Sequence, residues 1–178
     1  MSNEYSLKFN NLEDTRLDLF NKLEALKPEV LTYKTNDNKW SADQTIFHLV
    51  KSEQLTSIAI NRLLNQKDKL QNAGFTDLVR SKVLNIALRS KLKFKAPAAT
   101  TTMPDKIDFK ELKEKWETVR NSIKQIVEDY PIDFSNKRIM NHPKAGWLTM
   151  GQTLDFLQNH FDHHRTQIED LITNFPQE

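Results

Sequence analysis

Cysteine is absent from this 178-residue chain, which at once excludes a disulfide framework, a thiolate metal site and a cysteine nucleophile. Glycine is nearly as scarce, with 3 residues, and proline reaches 6. So few turn-formers favour long helices over a turn-rich β fold. Neither sign of charge is in excess: 26 basic against 24 acidic residues give +2. That balance supplies no electrostatic reason for a nucleic-acid or membrane partner. Long apolar runs are missing as well, and none approaches the roughly 20 residues a membrane span requires. The stretch Met1-Ser2-Asn3-Glu4-Tyr5 lacks the charged-then-apolar order of an export signal. Together these absences predict a cytoplasmic protein. What remains is ordinary for a packed protein, with 38% hydrophobic residues, too many for a disordered chain. A single domain over residues 1–178 is expected, with its core at about residues 10–173.

Histidine, by contrast, is concentrated. Three of the five histidines, His160, His163 and His164, fall within five residues. His160 and His164 are four apart, a spacing that stacks side chains on one helical face. The apolar stripe around them is Met150, Thr153, Leu154, Leu157, Phe161, Ile168, Leu171 and Ile172. At about 100° per residue, His164 lies within roughly 20° of the stripe's centre and His160 within about 60°. His163 lies about 120° away, toward solvent. Gln167 follows the direction of His160, placed to orient a ligand or a metal-bound water.

Helical periodicity runs through most of the chain. A loose lead-in over residues 1–10 is followed by a helix from about Asn11 to Val30, with Asn11 as N-cap and Leu12, Leu19, Phe20, Leu23, Leu26 and Val30 inward. Ser41-Ala42-Asp43-Gln44 has the form of a capping box and opens a helix to about Lys69. Its inward stripe is Thr45, Leu49, Ser52, Thr56, Ala59 and Leu63, with His48 on its shoulder. The amino end of that stripe is small and polar, as expected of a wet or coordinating layer or of a helix end near solvent. Asp77 to Phe94 reads as a shorter helix, with Leu78, Val83, Leu84, Ala87, Leu88 and Leu92 inward. Its basic residues Arg89, Lys91, Lys93 and Lys95 form a solvated face or one that meets an anion. Residues 96–106 read as a linker. The most regular helix carries Phe109, Leu112, Trp116, Val119, Ile123, Ile126 and Tyr130, the seam of a bundle, and Pro131 stops it. A long connection holding His142 leads to Thr149-Met150-Gly151-Gln152, another capping box, and a last helix to about Thr173. The fold class is therefore all-α: an antiparallel-type four-helix bundle with one short extra helix and a long crossover through residues 70–107.

In such a bundle His48, His160 and His164 can meet as three nitrogen donors on one divalent transition metal, with a position left open as catalytic zinc sites require. Zinc, nickel, iron and copper all accept neutral imidazole. No Glu-x-x-His pair of the ferritin-like di-iron kind is present, and no His-Glu-x-x-His, Walker loop or Gly-x-Ser-x-Gly. The bland alternative is a non-catalytic binding or interaction bundle whose histidines are merely satisfied in the core.

Several short motifs occur in a set order: Lys39-Trp40-Ser41 before His48, Phe94-Lys95-Ala96-Pro97, His142-Pro143 with Gly146-Trp147-Leu148-Thr149, and His160-x-x-x-His164-Arg165-x-Gln167-Ile168. In this the chain resembles the DinB/YfiT-like superfamily, and more closely its second DinB type, over roughly residues 10–173. The resemblance implies a four-helix bundle, often a homodimer, with a divalent metal held at the positions of His48, His160 and His164. It also implies a small-molecule substrate, attacked by metal-activated water in a hydrolase or by an external low-molecular-weight thiol in a transferase. Catalytic residues stay open, with Gln167 and His142 as candidates to position or protonate.

Overall fold

The computed structural model describes residues 2–36, 39–90, 102–104 and 107–176. Among these, six α-helices and one small hairpin form: α1 Ser2–Glu24, α2 Pro28–Thr32, α3 Ala42–Leu64, α4 Phe75–Arg89, α5 Phe109–Glu128, β1 Met140–His142, β2 Gly146–Leu148 and α6 Met150–Thr173. The long helices α1, α3, α5 and α6 close a ring in which each packs on two others, in the order α1, α5, α3, α6. The fourth sequence segment, α4, lies outside the ring against α6 and β2.

The direction of each helix can be read from its side-chain contacts. Lys8 meets Asp155, Asn11 meets Gln158 and Lys22 meets Glu169, so residue numbers rise together and α1 and α6 run parallel. Glu53 with Trp116 and Arg120, then Ser57 with Ser122, show the same for α3 and α5. By contrast Tyr5 packs on Tyr130 and Phe20 on Trp116, so α1 and α5 are antiparallel. The four helices therefore run up, down, down, up. Parallel α3 and α5 require a long return between them, and the crossover that contains α4 supplies it.

The bundle seam in α5 stands as its spacing predicts, with Leu112, Trp116, Val119, Ile123 and Ile126 buried, Phe109 partly buried at its start, and Tyr130 buried just past its end. Asp108 caps it through the amides of Lys110 and Glu111. Residues 2–10 differ from the expected lead-in, because they are the first turns of α1. Tyr5, Phe9 and Leu12 continue the inward face at spacings of four and three, and all three are buried. Asn11 is thus mid-helix rather than a cap. At its other end α1 stops at Glu24, and Pro28 starts a separate short helix after Lys27 in extended conformation, as the ring of a proline demands of the preceding residue. Likewise α3 ends at Leu64, and residues 67–69 form a 3-10 turn.

Helix α4 departs most from expectation. Its buried positions are Asp77, Ser81 and Leu88, while Leu78 and Val83 of the expected apolar set lie on the outer side, Val83 60% exposed. Polar contacts, not leucines, anchor it: Asp77 accepts from the Gly74 amide at 2.8 Å and from Arg138 at 2.7 Å. Leu92, Phe94, Lys91, Lys93 and Lys95 lie outside the described residues. The connection before α6 contains the hairpin, in which His142 pairs with Gly146. Gly146 has φ +73°, a left-handed turn conformation natural for glycine. Strands of three residues are too short to show a period in sequence.

An ion pair sits inside the bundle. Arg120 and Glu53 are each 1% exposed, and the Arg120 guanidinium donates to both Glu53 oxygens at 2.6 and 2.8 Å. Trp116 Nε1 donates to the same carboxylate, and a third Arg120 nitrogen donates to the Leu12 carbonyl, each at 2.8 Å. Such a buried pair holds only when its remaining donors and acceptors are met. No helix among the described residues is long and apolar enough to cross a membrane.

Candidate metal centre

Two capping boxes set the stage, Ser41 with Gln44 on α3 and Thr149 with Gln152 on α6. Each fixes the phase of its helix, and the two phases bring His48 of α3 against His160 and His164 of α6. The Nε2 atoms of His48 and His160 are 3.2 Å apart. His164 stands with its ring centroid 4.8 Å from that of His48 and 4.7 Å from that of His160. One nitrogen from each of the three lies within 4.8 Å of the others. A tetrahedral ion with bonds near 2.0 Å separates its nitrogen ligands by about 3.3 Å, so small side-chain shifts suffice to close the three on one ion.

Burial makes these rings good donors. His48 is 2% exposed, His164 8%, and His160 is half-buried. Burial first, then the neighbouring His164 and His48, hold the His160 pKa well below its usual value. For His164, burial and then His48 lower it to about 3, against the opposing hydrogen bond to the Gln167 oxygen. Both rings therefore keep their lone pairs at neutral pH, as metal ligation requires. Among the described residues no carboxylate belongs to the cluster. Three imidazole nitrogens suit zinc, nickel, iron or copper and fit the donor set of an open catalytic site.

Aromatic rings wall the cluster. Trp40, immediately before the Ser41 cap, lies 5.0 Å from His48 and 6.5 Å from His164. Phe156 stacks on His160 at 5.4 Å and 18°. Periodicity alone marks neither ring, although Trp40 stands in the Lys39-Trp40-Ser41 motif and Phe156 is one turn before His160. Thr45, expected in a coordinating layer, instead donates its hydroxyl to the Ser41 carbonyl at 2.8 Å.

The other sequence candidates fall around this centre. His142 is not among the three: its ring packs on Phe156 at 4.6 Å, the same ring that stacks on His160. His142 Nδ1 accepts from the amides of Lys144 and Ala145 in its own turn, and burial lowers its pKa to about 4. Gln167 touches His164, with Oε1 2.9 Å from its Nδ1. His163 differs from the solvent-facing expectation. It is half-buried and sits 3.0 Å from the Leu88 carbonyl, because α4 covers the side of α6 that the helix alone would leave to water. Arg89, from the same end of α4, donates to Asn159 at 2.7 Å.

A four-helix ring with three inward histidines, one from α3 and an i, i+4 pair from α6, defines a class of helical proteins built to converge nitrogen donors inside a bundle. The chain belongs to the DinB superfamily, whose family model matches residues 11–168. It is also similar to the uncharacterized protein YuaE of Bacillus subtilis strain 168, with 26% identity over 159 residues, covering 89% of this chain and 93% of that protein. No solved structure matches significantly.

Proposed function

We propose that this protein is a metal-dependent enzyme in which His48, His160 and His164 hold one divalent transition-metal ion. The observation that carries the reading is the convergence of three imidazoles from two helices, two of them buried and His160 half-buried, without a carboxylate among them. When bound, the ion would lower the pKa of water, or of an external low-molecular-weight thiol, to supply a nucleophile near neutral pH. The chain has no cysteine, so a thiol must come with a small molecule. The three neutral imidazoles would leave the charge of a divalent ion uncompensated, so the site would favour an anionic partner. Trp40 and Phe156 restrict water around the histidines and strengthen electrostatics there. His142, with Nδ1 engaged by its own turn, retains Nε2 as a proton-bearing donor for the substrate side. The substrate is a small molecule, acted on by hydrolysis or by thiol transfer.

A second reading has one observation in its favour. The 3.2 Å separation of the His48 and His160 nitrogens is also the length of an ordinary hydrogen bond, as in a bundle that uses its histidines only for packing. The two readings separate in one experiment. Metal-stripped protein is titrated with zinc, nickel and ferrous ions, and the loaded forms are assayed with a thiol plus electrophile and with activated esters. The enzyme reading expects saturable binding at one site per chain and turnover that disappears in His48→Ala. Absence of binding by all three ions would establish the packing reading.

A further inference from the structure

We propose that Gln167 and His163 are positioning residues that fix the tautomer of His164, through a directed hydrogen-bond chain anchored on the Leu88 carbonyl of α4. The inference deepens the metal-site reading and rests on it for its purpose, but its chemistry is already complete in metal-free protein.

Each link forces the next. A backbone carbonyl has no proton to give, so His163 Nδ1, 3.0 Å from the Leu88 oxygen, carries the hydrogen. A neutral ring then has its lone pair at Nε2, and the Gln167 nitrogen 3.0 Å away donates to it. With the amide held in that sense, Oε1 faces His164 Nδ1 at 2.9 Å. That oxygen only accepts, so the His164 proton resides on Nδ1 and its lone pair on Nε2. A metal needs the lone pair.

Without the anchor the amide is free to turn end for end, since its oxygen and nitrogen have nearly the same shape. Turned, it would present hydrogen to His164 Nδ1 and drive the ring's proton onto Nε2. The arrangement gives α4 a part in the site although it contributes no ligand. It also explains the inward turn of His163, whose ring meets that of His164 at 5.2 Å. A hydrogen-bonded partner on the far nitrogen of a ligating histidine is the general device for setting ring orientation and basicity.

The test is two-bond proton–nitrogen correlation spectroscopy on metal-free, histidine-labelled full-length protein at about pH 8, where imidazole is ordinarily neutral. In the wild type His164 is expected as the Nδ1–H form. Gln167→Glu, which keeps the acceptor, should keep that tautomer. Gln167→Leu and His163→Phe should shift His164 toward the Nε2–H form and weaken zinc binding by about 10- to 100-fold. A wild-type His164 protonated at Nε2 overturns the proposal, even if a variant fails to fold. So does a Gln167→Leu protein whose His164 signal and zinc affinity match the wild type. Wild-type protein that shows the Nδ1–H form but binds no zinc defeats the metal-site reading and supports the chain of hydrogen bonds.

Discussion

Mild acid should destabilise the metal-free protein well before its carboxylates titrate. His164 is the clearest cause, since burial and then His48 bring its pKa from 6.5 to about 3. The folded value lies below the unfolded one, so between them the unfolded chain binds a proton that the folded chain refuses. Stability therefore rises with pH across this window and is lost as pH falls through the unfolded value near 6.5, levelling only near 3. Between pH 7 and pH 5 that refusal amounts to about 2 kcal/mol for His164 alone. His160 and His142, both lowered first by burial, act in the same direction. Against a total stability on the order of 5–15 kcal/mol, such losses are large. The assay is urea denaturation of metal-stripped protein at pH 7, 6 and 5, with His164→Gln alongside. The variant should show a pH dependence flatter by about 2 kcal/mol over the two units. A wild-type midpoint that does not move with pH, or a variant with an unchanged slope, would refute the reasoning.

The buried ion pair yields a sharper contrast. Arg120→Leu strands the Glu53 carboxylate and should cost about 3–5 kcal/mol, whereas Arg120→Leu with Glu53→Leu should recover much of that loss. Chemical denaturation measures both, and a double variant as unstable as the single one would contradict the pairing. Phe9→Ala should cost about 3–5 kcal/mol if residues 2–10 are part of the core rather than a tail. A thermal midpoint equal to wild type would return that segment to the role of a lead-in.

The sequence already exposed the seam of α5, because apolar residues at alternating spacings of three and four have no other simple use. It also exposed the inward turn of His160 and His164, since their neighbours Leu157, Phe161 and Ile168 mark the buried face. His48 was legible through the polar end of its stripe. The amino half of α1 was within reach too, for Tyr5 and Phe9 continue its face, but the polar residues between them hid the period. Other features depend on tertiary neighbours. Glu53 and Arg120 are charges that single-helix reasoning sends to solvent, and their pairing, completed by Trp116 and the Leu12 carbonyl, makes their burial tolerable. In α4 the buried positions include Asp77 and Ser81, so apolar patterning misplaces its inner face. His163 follows from the same cause: α4 supplies the Leu88 carbonyl that meets its Nδ1, and its own helix does not announce that neighbour.

Metal content of protein purified without chelators tests the central claim most directly. Elemental analysis should find close to one transition-metal equivalent per chain in the wild type. His164→Ala, still helical by circular dichroism, should come out empty. Wild-type protein without metal, or a His164→Ala variant that retains a full equivalent, would contradict a site made of His48, His160 and His164.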